Sequence, residues 1–149
     1  MAQPPGDEAG SAVRALNSVL SEVIDLVGDV KQARRKVPGA DPLHAELDAL
    51  LDDLRQWSRQ LLEEDEAEGV SPLETMPSVA GRTPVNLWAG HPSDDEVCQV
   101  VADHLQRLEQ HVAAALGDEE GPARAVLEDV HKGVLTRVDS LRALGGGPR

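Results

Sequence analysis

The chain has 149 residues, with 14 Lys and Arg against 27 Asp and Glu, a formal charge of −13, and only two aromatic residues, Trp57 and Trp88. One domain of that size buries its own core, and the negative charge opposes approach to polyanions, so nucleic acid is not the default partner. The lone Cys98 excludes an intrachain disulfide, no apolar run approaches the roughly 18 residues of a membrane span, and MAQPPGDEAG lacks the apolar stretch of a secretion signal; a cytoplasmic protein is expected.

A core without Phe or Tyr must be built from Leu, Val, Ile and Ala, a mixture that favours helices over strands. Apolar residues at 13, 16, 20, 23, 24, 27 and 30 repeat with helical spacing. They predict a first helix from about Ser11 to Val37, closed by the cations of KQARRK. PGADP breaks the pattern, and Asp41 as N-cap with Pro42 at the first helical position opens a second helix. Leu43, Leu47, Leu50, Leu51, Leu54, Trp57, Leu61 and Leu62 give that helix one apolar side, and it ends near Gly69.

From Val70 to Ser93 no period is sustained and Pro72, Pro77, Pro84 and Pro92 punctuate the chain, although PVNLWAG is compatible with a short helical turn. Ser93 with Glu96 forms a capping box for a third helix, striped by Val97, Val100, Val101, Leu105, Leu108, Val112 and Leu116. After GDEEG, Pro122 opens a fourth, carried by Val126, Val130, Val134, Leu135, Val138, Leu141 and Leu144 and stopped by GGG.

The first and last pairs, joined by about five residues each, form antiparallel hairpins, whereas the middle link of about 25 residues is long enough to cross the whole bundle. Two hairpins with one long crossover is the ferritin-like form of the all-α four-helix bundle; an up-down bundle with an idle loop is the alternative. The domain is expected over residues 11–144, between flexible tails at 1–10 and 145–149.

The second helix carries a line of polar residues. At about 100° per residue, His44, Asp48, Arg59 and Glu63 fall within an arc of about 100°. His44 and Glu63 are 19 residues apart, about 28 Å along the axis, so one chain cannot bring both to one ion. If two copies of this helix run antiparallel across a two-fold axis, His44 and Asp48 of one meet residues 59 and 63 of the other.

With these motifs placed, the sequence resembles the Dps family, the DNA-binding proteins from starved cells, also called miniferritins. The likeness runs from about Ala15 to Leu144. It is carried by Leu16-Asn17, IDL at 24 to 26, KQA at 31 to 33, Gly39, and the ungapped run from Leu43-His44 through Asp48 and Glu63 to Gly69, Pro72, Leu73 and Thr75, with DHLQRL at 103 to 108. The resemblance implies a cytoplasmic, hollow dodecamer built from two-fold dimers. Such cages bind ferrous iron, oxidise it, usually with hydrogen peroxide, and store the ferric mineral against oxidative stress; some coat DNA and associate with the nucleoid.

It also implies a ferroxidase site shared between two subunits. The first-helix histidine falls at Arg34, the second-helix histidine at His44, its aspartate at Asp48, the next aspartate at Arg59 and the bridging glutamate at Glu63. His44, Asp48 and Glu63 are then the retained iron ligands, and Arg34 and Arg59 the departures. A guanidinium has five donors and no acceptor lone pair, so it cannot ligate iron. A unit positive charge about 5 Å from Fe²⁺ repels it by roughly 6 to 7 kcal/mol at an effective dielectric near 20, before relaxation. The expected site is degenerate, with the arginines pairing to Asp48 and Glu63 in place of metal.

Other candidates read as structural. His104 and His111 are seven residues apart, about 10 Å, too far to share an ion without another helix; with His131 they are expected to be partly buried and hydrogen-bonded. The acidic stretch from Glu63 to Glu68 and the group Asp118, Glu119 and Glu120 read as mostly solvated helix-end charge, or as an acidic wall that concentrates Fe²⁺. Lys31, Arg34, Arg35 and Lys36 form a basic patch that helix-dipole compensation explains, and neither terminus carries the family's lysine-rich tail, so DNA binding is not the expected role. Cys98 reads as a structural thiol. The reading is a Dps-like miniferritin with a degenerate ferroxidase centre; the alternatives are a non-catalytic shell or nucleoid-associated protein of the same fold, and an acidic helical adaptor.

Overall fold

In the computed structural model, which describes residues 6–67, 90, 92–117 and 119–144, four helices form and no strand is present among those residues. They are α1 (Gly6–Arg35), α2 (Pro42–Ala67), α3 (Asp94–Leu116) and α4 (Gly121–Leu144). Helix α1 starts five residues before the expected Ser11, because the apolar period used to place it begins only at Val13. The tail expected at 145–149, and the short helical turn expected in PVNLWAG, lie outside the described residues.

Local chemistry sets the boundaries. The carboxylate of Asp41 accepts from the Leu43 N–H at 2.9 Å and caps α2 over Pro42. At α3 the capping box is complete: the Ser93 hydroxyl accepts from the Glu96 N–H and the Glu96 carboxylate accepts from the Ser93 N–H, each at 3.1 Å. The chain enters α4 through Gly121, whose φ of 71° lies in the left-handed region that favours glycine. Arg124 then reaches back to donate to the Leu116 carbonyl at 2.7 Å, which also accepts from the Glu119 N–H at 3.3 Å, so this acceptor at the end of α3 is satisfied from outside the helix.

The register of side chains fixes the topology. Helix α1 packs on α2 and α3, and α4 on α2 and α3. Glu22 meets His111 and Asp29 meets His104, so α1 and α3 run antiparallel. Gly133 lies against Trp57 and Arg137 meets Glu46 and Asp53, so α2 and α4 run antiparallel as well. Since α1 and α2 form a hairpin, α2 and α3 are parallel, and the carboxyl groups of Asp41 and Asp94, at the starts of these two helices, are close enough to shift each other's titration, raising that of Asp94. The C-terminus of α2 and the N-terminus of α3 therefore lie at opposite ends of the bundle. This is the ferritin-like connectivity, not the up-down alternative.

Leucine and valine fill the centre: Leu16, Leu20 and Leu26 from α1, Leu47, Leu50, Leu54 and Leu61 from α2, Leu105 and Leu108 from α3, and Leu127 and Leu141 from α4 are fully buried. The expected stripes were too wide in places. Ile24, Val27 and Leu62 stand at the edge of the core, half-buried, while Val19 and Ala33 are buried instead. On α4, Leu135 and Leu144 are 44% and 43% exposed, because the stripe that faces the core is narrower than the run of apolar residues.

Candidate functional site

The α1–α2 hairpin assembles three of the five singled-out residues. Arg34 stands in the last turn of α1 and His44 and Asp48 in the first two turns of α2, so the short link 36–41 folds them onto one another. Arg34 Nε pairs directly with Asp48 Oδ1, and His44 Nδ1 lies 3.5 Å from Asp48 Oδ2. One carboxylate is thus shared between a guanidinium and an imidazole. Arg34 and Asp48 are half-exposed and His44 more covered.

Arg59 and Glu63 are exposed and stand 11 and 15 residues beyond Asp48, about 16 and 22 Å along the same helix. One protomer does not bring the two groups together. At the Arg59 end an open groove of about 390 Å³ runs along the hairpin, lined by Ile24 and Val27 of α1 and by Arg55, Ser58, Arg59 and Leu62 of α2. Its floor is apolar and its rim cationic. Among the described residues no three His, Cys, Asp or Glu side chains converge within one chain as a metal-binding set.

The histidines beyond this line each have a carboxylate on another helix. His104 Nδ1 lies 3.1 Å from Asp29 Oδ2, with both side chains nearly covered. His131 Nε2 lies 3.0 Å from Glu109 Oε1. His111 Nδ1 lies 2.5 Å from Glu22 Oε2. All three are at least partly buried and paired, as their positions on the helices led one to expect.

The hydrogen bond to Glu22 holds the His111 pKa above its ordinary value near 6.5, and it outweighs burial, which acts the other way. A raised histidine pKa in the folded state gives stability that is fully present below about 6.5 and is lost as the pH rises through the folded value. In urea unfolding, the stability gap between the parent protein and His111→Gln should therefore be wider at pH 6 than at pH 9. A gap that widens with pH would contradict the pairing.

Two acidic residues depart from the solvated role expected for helix-end charge. Asp65, four residues after Leu61 on the same face of α2, is fully buried, and Glu119 is 7% exposed. Cys98 is buried, and desolvation together with Asp95 and Asp94 pushes its thiol up to about 11, which makes it a poor nucleophile at neutral pH. The sequence also gave no sign of Arg137, which donates from Nε to Asp53 at 2.6 Å and from Nη1 to Glu46 at 3.0 Å. The spacing of Glu46 and Asp53, two turns apart on one face, was the available signal, but their partner is on α4.

No protein-family model matches the sequence, and no curated protein matches it. Among solved structures, the chain is similar to that of Dps from Microbacterium arborescens in the high iron form, with a TM-score of 0.81 over 95% of this chain and 97% of that one. The chain has a Dps-like fold. At 20% identity the likeness speaks for the fold alone, and the assignment of roles to Arg34, His44, Asp48, Arg59 and Glu63 rests on position and chemistry. Within this Dps-like bundle, no described helix is long and apolar enough to cross a membrane.

Proposed function

We propose that this protein is the subunit of a Dps-like cage that sequesters iron in the cytoplasm, and that the place where the family oxidises iron has become an arginine–carboxylate lock between subunits. The observation that carries this reading is the pairing of Arg34 with Asp48. A carboxylate already engaged by a guanidinium and flanked by His44 offers its lone pairs to donors, not to Fe²⁺.

The remaining half follows from symmetry. In a two-fold dimer with antiparallel α2 helices, a second copy brings its residues 59 and 63 to Arg34, His44 and Asp48, and the same register sets the apolar groove at Ile24, Val27 and Leu62 against the first half of the other copy's α2. The completed pocket holds two arginines and two carboxylates, so it is neutral with His44 uncharged. Adding Fe²⁺ would leave two uncompensated positive charges in a partly desolvated site. Ferrous iron is the cargo in this reading, and the acidic surface rather than the dimer interface gathers it.

The protein's role in protecting the cell would then be storage and shielding, with little ferroxidase turnover of its own. The four-residue basic patch is too small to offset the charge of −13, and Arg34 is already engaged, so DNA is not the proposed partner. The deciding measurement is solution mass combined with peroxide-dependent oxidation of ferrous salt. A twelve-subunit particle whose iron oxidation stays near the protein-free rate is expected. A strict monomer would remove the shared pocket, and fast oxidation by the unmodified protein would remove the lock.

A further inference from the structure

On the α1–α3 side of the bundle, Ser18, His111 and Glu22 form a continuous relay. Ser18 Oγ lies 2.6 Å from His111 Nε2, and His111 Nδ1 lies 2.5 Å from Glu22 Oε2. An ionised carboxylate only accepts, so Nδ1 carries the proton in the neutral imidazole and Nε2 presents its lone pair. The Ser18 hydroxyl then donates to Nε2. This is the order nucleophile, base, orienting carboxylate by which a weakly nucleophilic hydroxyl is activated.

The backbone holds the three in place. Ser18 and Glu22 are four residues apart on one face of α1, and the imidazole of α3 reaches across to both. Seven residues further along each helix, the nearly covered Asp29–His104 pair ties α1 to α3 in the same register. Ser18 is exposed, while the side chains of His111 and Glu22 are about one third and one fifth exposed, so the hydroxyl meets solvent and the groups behind it are screened. The relay is also separate from the groove. Ser18 and Val27 are nine residues apart, which places them on opposite sides of α1.

We propose that Ser18, His111 and Glu22 form a surface acyl-transfer site that takes small activated esters. Ser18 Oγ attacks the ester carbonyl carbon while its proton passes to His111 Nε2. The bond to the leaving alkoxide breaks, the departing oxygen keeps the electron pair, and it takes the proton from Nε2. Water then attacks the acyl-serine ester, giving one proton to Nε2, and the acid leaves as Ser18 recovers that proton. No electron is gained or lost overall.

The N–H groups in the middle of α1 are committed to the helix and offer no oxyanion pocket. This restricts the substrate to esters with a good leaving group. Arg14, exposed one turn before Ser18 on the same face, supplies a positive charge for the developing oxyanion. By helical spacing the charged groups within two turns on the same faces are Arg14, Glu22 and Asp25 on α1 and His104 and Arg107 on α3; Glu22 is the one that shifts the basicity of the imidazole. Glu22 acts through His111 and is a positioning residue.

The test uses the protein as isolated with p-nitrophenyl acetate in mildly alkaline buffer, following p-nitrophenol release and mapping acetylated peptides by mass spectrometry. Acetylation of Ser18 is expected, with release falling about tenfold or more in Ser18→Ala and in His111→Gln, a modest demand beside the ~10²–10⁴-fold that a positioned base supplies. Ser18→Ala replaces an exposed helical residue with a stronger helix former and will fold. In Glu22→Gln the midpoint of the pH profile should move down, since the imidazole loses the group that raises it. An unmodified Ser18, an unchanged rate in Ser18→Ala, or equal Ser18 labelling in His111→Gln would overturn the assignment.

Discussion

Replacing Gly133 by alanine is expected to destabilise the protein, and the same replacement is expected to stabilise it once Trp57 has been changed to leucine. The indole of Trp57, 5% exposed, lies directly on Gly133 across the α2–α4 contact. A Cβ at position 133 would sit 2.5 Å from Trp57 Cζ2 and 2.9 Å from Cε2 and Nε1, closer than atoms that are not bonded tolerate. The ring is rigid and enclosed by the core, so relief requires the helices to part.

Two terms compete at this position. Alanine in place of a mid-helix glycine gains about 1 kcal/mol of helix propensity. Overpacking a filled core costs about 1–3 kcal/mol, and contact with an unyielding ring belongs near the top of that range. The net loss should be about 1–2 kcal/mol in the parent. With leucine at 57 the clash is gone and the propensity remains, so Gly133→Ala should gain about 1 kcal/mol. The coupling of about 2–3 kcal/mol is large for a pair in contact and is measurable by urea unfolding of the four proteins at one protein concentration. If Gly133→Ala raised the midpoint in the parent, Trp57 would not be held against α4 as described.

What the chain announces in advance differs from element to element. The capping box at Ser93 and Glu96 and the N-cap at Asp41 are local, their partners lying two or three residues away, and both form as their spacing requires. The hairpins follow from short links, and the crossover from a long one. Ile24, Val27 and Leu62 show where such reading fails. An apolar residue that lines an open groove has the same spacing as one in the core, and the stripe does not say whether its cover comes from the same chain. Leu135 and Leu144 fail for a related reason, since helical period does not fix the width of the face that α4 buries.

The candidate site was legible only as far as one helix carries it. The line from His44 to Glu63 belongs to α2 alone, so its arc and its 28 Å length are properties of helical geometry. The contact between Arg34 and Asp48 needed the hairpin, although the short link made it foreseeable. Ser18, Glu22 and His111 come together through the register of α1 against α3, which is set by packing across the whole bundle after the crossover. Nothing within about 90 residues of Ser18 in the sequence points to its partner on α3. The burial of Asp65 and Glu119 was hidden in the same way, because charge runs at helix ends usually face water.

Converting Arg34 to histidine and Arg59 to aspartate should turn the proposed lock into an iron site. The two-fold pocket proposed for the parent is neutral, with two arginines against Asp48 and Glu63, whereas in the double variant it would hold three carboxylates and two neutral imidazoles, a charge of −3. Each arginine opposes Fe²⁺ by several kcal/mol before relaxation, and about 1.4 kcal/mol is worth a factor of ten in binding, so a rise of at least about 100-fold in the initial rate of peroxide-dependent oxidation is expected. The single variant Arg59→Asp should fall well short of this, because Arg34 still occupies Asp48. Without metal, the three carboxylates repel one another and the double variant should assemble less tightly than the parent; Zn²⁺ or Mn²⁺ should restore its thermal stability while leaving the parent unmoved. A double variant that reaches the parent's mass, yet neither oxidises iron faster nor responds to divalent ions, would mean that positions 34 and 59 do not face the site, and the alignment of this helix with its partner would have to be redrawn.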